Sequence, residues 1–482
     1  MKTEPSQTSP DAGGHNRRDF IRTTATAAAA VAATGIVKTP VYGQSSAPST
    51  GRVIGANDRI NVAVIGVGYG IGQNHIMGIQ EKASENNVVL AAGCDVFSKR
   101  REWMQGKVEP KEQYGRKMPM PLKEADVYGD YRRVLDRKDI DAVVVATHDV
   151  WHAPIAIAAM ETGKHVYCEK PMTRYLGEAF QIYDAVKRTG RTFQVGSQGC
   201  SAGAWHKAAQ LIQAGKIGQL VWAQGYYCRN NPKGEWNYTI EKESSPENID
   251  WKTWVGQVPN RPFSADEFHR WRKYYPYCGG LLGDLVPHRL HPLMLATGKP
   301  EFPTRVTSIG SKHVHTDRKT PGTPERDVPE HVQLAAEFPN GMMLNVMAST
   351  VNAKSPGFVI YGHQATLEIG DNGNALQMVP ERSFSEEFEG LTESDRKELG
   401  IDPIKGLQHE DIRVHERNWF DCIRSGKQPN AGIELAVRVQ TVISLAEMAE
   451  RLKITCLFDE NTRKITTGDG KEVPALTYGS IS

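Results

Sequence analysis

The sequence predicts an α/β chain: a doubly wound parallel sheet first, then an α+β domain on a mostly antiparallel, open sheet. Three observations carry this. Five short apolar segments, at residues 59–65, 88–95, 140–146, 165–171 and 191–196, alternate with helical patterns at the spacing of βαβ units. The first of them runs directly into closely spaced glycines at 66, 68, 70 and 72. Beyond residue 218, strand patterns follow one another with few helices until residue 409, and Asn340-Gly341 between two of them is a hairpin signal.

Taken in order, the 482 residues divide into 1–50, 51–197, 198–408 and 409–482. The first segment is a targeting sequence. Asn16-Arg17-Arg18-Asp19-Phe20-Ile21-Arg22 resembles a twin-arginine signal, and the alanine-rich run of residues 25–33 is too short and too weakly apolar to span a membrane. Cleavage is expected between Gly35 and Gln44, with a linker over 45–51. The expectation is export to the periplasm through the twin-arginine machinery, without membrane insertion. Residues 1–43 hold five Lys/Arg against three Asp/Glu, which leaves 53 of each sign in the remainder. Near-neutral charge points away from nucleic acid and anionic membranes. Seven cysteines, at 94, 168, 200, 228, 278, 422 and 456, form no C-x-x-C pair, so neither a disulfide framework nor a metal site is expected.

In the second segment, β-branched residues followed by glycines and a helical pattern (73–82) read as strand, tight turn and helix N-terminus, an arrangement that binds a pyrophosphate. Gly66 and Gly68 fit the G-x-G-x-x-G pattern. Ile71 occupies the third glycine's place, with Gly70 and Gly72 on either side, as if one residue were inserted. The second strand ends in Asp95, where an acid accepts hydrogen bonds from the adenosine ribose and disfavours a 2′-phosphate, which favours NAD. Lys99, Arg100 and Arg101 follow closely and leave NADP open. Residues 102–127 read as a surface excursion and 130–135 as a short helix. The next strand ends at Thr147-His148, followed by a helix over 153–162 closed by Gly163. The strand at 165 stops at Glu169-Lys170-Pro171, and a helix over 177–189 ends at Gly190.

The glycine turn, Asp95, Ala146-Thr147-His148-Asp-Val-Trp151-His152 and above all Glu169-Lys170-Pro171 resemble the glucose-fructose oxidoreductase/inositol dehydrogenase (Gfo/Idh/MocA) family over residues 58–460. The resemblance implies a Rossmann-type domain binding NAD through Gly66, Gly68, Tyr69, Gly70, Ile71, Asp95, Thr147, His148, His152, Glu169, Lys170 and Gln198. It places Glu169 near the nicotinamide, lets Lys170 reach both cofactor and substrate, and implies a cis bond before Pro171.

The third segment should contain strands near 218–227, 304–313, 331–338, 342–346 and 358–361. An aromatic-rich insertion over 235–277 carries Trp236, Trp251, Trp254, Trp271, Tyr274, Tyr275 and Tyr277, which could stack on a sugar or pack against its own scaffold. In Gly283-Asp284-Leu-Val-Pro287-His288-Arg-Leu-His291, Asp284 is expected to N-cap a helix on which 284, 288 and 291 share a face. The resemblance makes Asp284 and His288 catalytic beside Lys170. His288 would be a base whose pKa the neighbouring carboxylate raises. Tyr275, Tyr277 and His291 would contact substrate, although many members carry an aspartate where His291 stands. Residues 382–408 read as a surface loop with a short helix. Amphipathic helices over 410–424 and 434–452, by the resemblance, pack back on the nucleotide domain.

The implied activity is hydride transfer to or from a hydroxyl of a sugar, glycoside or cyclitol, in a homo-oligomer (dimer or tetramer) joined through the open sheet. Two alternatives stay open. One is an NAD-dependent glycoside hydrolase, whose motif resembles Tyr275-Pro276-x-x-Gly279 but carries a histidine at the place of Cys278. The other is a non-catalytic sugar-binding protein.

Overall fold

The β-branched runs pair side by side because each is apolar on both faces, which only a sheet covered on both sides can bury. In the computed structural model, which describes residues 58–108 and 117–481, they form a six-stranded, all-parallel sheet. Its strands are β1 (Ile60–Ile65), β2 (Val88–Cys94), β3 (Val127–Tyr128), β4 (Ala142–Val145), β5 (His165–Glu169) and β6 (Phe193–Gly196), in the order β3-β2-β1-β4-β5-β6. The helices between them are α1 (Ile71–Glu81), α2 (Ser98–Met104), α3 (Tyr131–Leu135), α4 (His152–Glu161) and α5 (Leu176–Thr189). The chain reverses direction across the sheet between β1 and β4, the place where such folds open a ligand crevice. The export signal and linker expected over residues 16–51 lie outside the described residues.

Two elements depart from the expectation of a surface excursion over 102–127. Helix α2 and strand β3 were hidden because the helix is short and its inward face carries Arg100 together with Trp103 and Met104. A buried arginine erases the apolar period that would mark the face.

The second sheet has nine strands: β7 (Leu220–Cys228), β8 (Arg305–Ser311), β9 (His331–Glu337), β10 (Met343–Ser349), β11 (Phe358–Gly362), β12 (Ala365–Ile369), β13 (Leu376–Pro380), β14 (Cys456–Asp459) and β15 (Lys464–Thr466). The order is β13-β12-β11-β7-β10-β9-β8-β14-β15, antiparallel except for the β7–β10 pair. The β9–β10 hairpin turns at Asn340-Gly341, with Gly341 at φ +82° and the Asn340 side chain accepting from the Met342 amide at 2.9 Å. Helices α6 (Gly203–Gln213), α7 (Gly280–Asp284), α8 (Pro287–Ala296), α9 (Ile412–Ser425) and α10 (Ile433–Leu452) accompany it, with shorter helices at Trp251–Val255, Ala265–Arg270 and Glu393–Leu399, the last within the loop expected over 382–408.

Alternation decides what each sheet face meets. Val306, Val332, Leu334, Leu344, Val346 and Ile360 point inward and share a core with α8 and α10. The opposite face carries Ile309, Met343 and Val379, all more than 40% exposed, and Trp222 stacked on Tyr361 with ring centroids 3.8 Å apart.

Helix α9 returns to the first sheet. It buries Trp419, Phe420 and Ile423 against Ile60, Val62, Val64 and Ile76. Burying each large side chain stabilises by about 1.5–3 kcal/mol. Arg424 donates to the Asn86 and Asn87 carbonyls at 2.6 and 3.1 Å, and Arg413 to the Asn74 carbonyl at 2.8 Å. Between these contacts, fully buried His75 of α1 stands between two carboxylates, with Nδ1 2.7 Å from Glu416 Oε1 and Nε2 3.0 Å from Glu169 Oε1. Burial alone would lower its pKa. The two hydrogen-bonded carboxylates outweigh that and push it up to about 9.

His75 is therefore an imidazolium in the folded protein at neutral pH. A folded pKa near 9 against about 6.5 unfolded means its contribution is full below pH 6.5 and is lost as pH rises through 9. Replacing His75 with leucine removes the charged partner that joins two buried carboxylates, leaving Glu416 to Arg413 and Glu169 to Gln198, and should cost about 3–5 kcal/mol. Denaturant unfolding across pH 6–9.5 checks both points: the wild type should lose stability over that window more steeply than His75→Leu. Equal stabilities of the two proteins would contradict this account.

Candidate active site

The glycine turn is built by close approach. Gly66 has φ +89°, and a Cβ there would lie 2.6 Å from the Thr147 nitrogen and 2.7 Å from the Ala146 carbonyl, so β1 meets the end of β4 only through a glycine. The turn is one residue longer than the strict pattern. Ile71 is the first residue of α1, and Gly72 does the work of the third glycine, since a Cβ there would stand 2.3 Å from the Gly66 oxygen. At Gly68 and Gly70 a Cβ would meet nothing within 4 Å, and no side chain caps the start of α1. Open space beside uncapped amides of an 11-residue helix is a cradle for a pyrophosphate.

Asp95 stands at the adenosine end. Its Oδ2 accepts from the Val67 amide at 2.7 Å and its Oδ1 from the Phe97 amide at 2.8 Å, which ties the end of β2 to the turn. Burial raises its pKa, and these two amides oppose the rise. Each oxygen keeps a lone pair for a ribose hydroxyl. Of the basic residues that follow, Lys99 donates to Glu102 at 2.8 Å and Arg101 to the Asp95 carbonyl at 2.7 Å. Arg100 is held by Glu241 of the insertion, and its guanidinium lies 3.4 Å over the Tyr69 ring.

At the other end of the crevice, the Lys170–Pro171 peptide is cis. Glu169 and Lys170 face opposite ways. Glu169 Oε1 accepts from Gln198 at 3.3 Å as well as meeting His75. Lys170 Nζ reaches across to the second domain and donates to Asp284 Oδ1 at 2.7 Å and to the Asp284 carbonyl at 2.8 Å. Arg272, which the sequence reading missed, donates to the same Oδ1 at 2.9 Å. Burial would raise the Asp284 pKa, but Lys170 and Arg272 hold the carboxyl well below the usual carboxylate range.

Two expectations about this segment need correction. Asp284 does not N-cap a helix: it ends α7, and α8 starts at Pro287, whose missing amide costs nothing at a first turn. Nor does it win the balance at the histidine. Half-buried His288 has its pKa lowered well below the usual value, by burial first and by Lys170 second, and together these outweigh the opposing pull of the Asp284 carboxylate. His288 is a neutral imidazole, tilted against Tyr227 with ring centroids 5.4 Å apart.

The remaining candidates separate. His152 ties two loops, with Nδ1 2.7 Å from the Pro171 carbonyl and Nε2 3.1 Å from that of Thr147. His148 stacks on Trp254 with centroids 4.4 Å apart, and burial lowers its pKa to about 3. Thr147 Oγ1 has no hydrogen-bond partner among the described residues. Buried His291 has Nδ1 2.9 Å from the Pro287 carbonyl. Fully buried Tyr277 donates to Glu267 at 2.7 Å, and Tyr275 to Glu450 at 2.8 Å, so both hydroxyls are occupied. The insertion's aromatics mostly pack on one another: Trp254, Tyr274 and Tyr277 form a small core with Val150, Val255 and Val258. Tyr238 differs. It is 46% exposed, and Arg272 and Asp284 act electrostatically on its hydroxyl. Asp149 was also missed: its buried carboxylate has no hydrogen-bond partner among the described residues, and burial pushes its pKa up to about 7 beside Arg272 and Lys170. Nothing in the period or spacing of the sequence marks Arg272, Tyr238 or Asp149 as members of one site.

Comparison with known proteins bears on the family and the fold. Residues 60–197 match the model of an oxidoreductase family with an NAD-binding Rossmann fold, and residues 254–368 match the GFO/IDH/MocA C-terminal domain. A levoglucosan dehydrogenase of Pseudarthrobacter phenanthrenivorans is 28% identical over 323 residues, 62% of this chain and 74% of that protein. An alpha-N-acetylgalactosaminidase of Shewanella oneidensis is 27% identical over 242 residues, 46% of this chain and half of that protein's length. A solved levoglucosan dehydrogenase in complex with NADH and levoglucosan superimposes with a TM-score of 0.60 at 21% identity, over 83% of this chain and 99% of that one. The glycine turn, the acid at the end of β2 and both matching domains lead to one conclusion: the chain belongs to the Gfo/Idh/MocA family of NAD-binding oxidoreductases.

Proposed function

We propose that this protein is an exported, NAD-dependent oxidoreductase acting on a hydroxyl of a sugar, glycoside or cyclitol. The observation that carries the reading is Lys170 in contact with Asp284 at the C-terminal end of the parallel strands, next to a neutral His288. The likeness to a levoglucosan dehydrogenase supports a carbohydrate substrate. When bound, NAD supplies the hydride acceptor. His288 takes the hydroxyl proton as the substrate carbon is oxidised, and Lys170, steadied by Asp284, donates a hydrogen bond to the same oxygen. The exposed Tyr238 ring offers an apolar face to the sugar at the mouth of the site. Glu169, fixed by His75 and Gln198, completes the nicotinamide end.

Export rests on the paired arginines, Phe20 and the alanine run. Because free NAD is scarce outside the cytoplasm, the cofactor would be loaded before export and held through turnover, with a second substrate restoring it. Retention of the unprocessed chain in the cytoplasm on fractionation would remove this part. The apolar open face bearing Trp222, Tyr361, Met343 and Ile309 supports a homo-oligomer. Sedimentation as a monomer at micromolar concentration would rule that out.

One observation favours a second reading, redox-assisted glycoside hydrolysis: the match to an alpha-N-acetylgalactosaminidase. Against it, the histidine of that motif is replaced here by Cys278, whose buried thiol is held far above its usual pKa. Incubation with glycosides and anhydrosugars separates the two. An oxidoreductase should convert NAD to NADH in step with an intact oxidised sugar. Free aglycone with no net NADH would overturn the proposal in favour of hydrolysis.

The base makes a further prediction. His288→Ala should lower turnover by roughly 10²- to 10⁴-fold while the protein still binds NAD. Since the folded pKa lies below the usual histidine value, the acidic limb of the wild-type profile should fall below pH 6.5. Lys170→Met should impair both turnover and substrate affinity. Full activity of His288→Ala with an unchanged acidic limb would exclude His288 as the base.

A further inference from the structure

The insertion from the second domain reaches the adenosine end of the nucleotide crevice and is fastened there. The Ser98 amide donates to the Asn248 carbonyl at 2.8 Å, the Asp250 amide donates to the Val96 carbonyl at 3.2 Å, and Phe97 and Ile249 form a β-bridge. This seats Glu241 directly on Arg100. Both guanidinium Nη atoms donate to its carboxylate, and the two side chains are 5% and 9% exposed. Tyr69 of the glycine turn donates to Glu241 at 3.3 Å, and His269 lies 3.9 Å from the same carboxylate.

Arg100 stands in the first turn of α2, a few residues after the end of the second strand, the neighbourhood in which an arginine can accommodate a 2′-phosphate. A phosphate there carries about −1.5 to −2 charge and would need a guanidinium with free donors. Lys99 is paired with Glu102, and Arg101 gives one guanidinium donor to the Asp95 carbonyl, which leaves Arg100 as the cation whose whole guanidinium edge is taken by a carboxylate.

We propose that Glu241 is a cofactor-specificity residue: by clasping Arg100 from the second domain, it removes the cation a 2′-phosphate would need, and its charge adds to that of Asp95 against NADP. Discrimination is thus shared between the nucleotide domain and a loop the strand order does not place near it. The inference rests on the cofactor site described above.

The test is titration of NADH and NADPH, followed by nicotinamide fluorescence, into full-length protein freed of bound nucleotide. Glu241→Gln keeps the shape and removes the charge. It should strengthen NADPH binding relative to NADH by roughly 10- to 100-fold, the worth of one charge-assisted hydrogen bond. Arg100→Gln combined with Glu241→Gln should abolish that gain. A ratio unchanged in Glu241→Gln, with both affinities moving together, would show that Glu241 only anchors the insertion and would overturn the proposal. So would a double variant that keeps the gain. If Glu241→Gln does not fold, Glu241→Asp loosens the clasp and should shift the ratio the same way by a smaller factor; no shift overturns the proposal. A wild-type protein that binds neither nucleotide would instead overturn the cofactor site itself.

Discussion

The pair of charges where the chain leaves β5 governs how this molecule is assembled. Glu169 is the last residue of β5 and Lys170 the first beyond it, before the cis peptide to Pro171, and their side chains go to different partners. The carboxylate turns into the nucleotide domain, where His75 joins it to Glu416 of the returning helix α9. The ammonium turns toward the second domain and meets Asp284. One strand end thus fastens the C-terminal helix on one side and the substrate domain on the other. Neither charge could be left unpaired so far from water.

The electrostatics of the site follow from that fastening. Asp284 holds both Lys170 and Arg272, and its pull on a His288 proton is outweighed by the burial of the ring and by the Lys170 charge that it keeps in place. The cluster keeps the imidazole neutral, the form a proton acceptor must have. Asp149, lying behind with no hydrogen-bond partner among the described residues, adds a carboxyl whose charge is suppressed by burial.

The insertion shows how a loop rich in aromatic residues is used. Most of its rings make a core of their own, and that core gives the loop a rigid body. Rigidity lets it carry polar side chains to two distant places, Glu241 to the adenosine end and Arg272 to the chemistry end.

What the sequence determined by itself is everything that depends on local period and on residues close together in the chain. The parallel strands, the glycine turn, Asp95 at the end of β2, the Asn340-Gly341 hairpin and the Glu169-Lys170-Pro171 stop were all legible, because β-branched runs, glycine spacing and strand-end acids act over a few residues. The tertiary structure decided the partners. Gly72 takes the third glycine's role because its missing Cβ would strike the Gly66 oxygen just beyond β1, 2.3 Å away, and no count along the motif reveals that. Spacing along a helix suggested that Asp284 serves His288, but the chain breaks between α7 and α8 and the carboxylate is claimed by residues 114 and 12 positions away. Charge pairing between distant segments depends on which surfaces the fold brings together. A one-dimensional pattern records the charges, and only packing decides which of them meet.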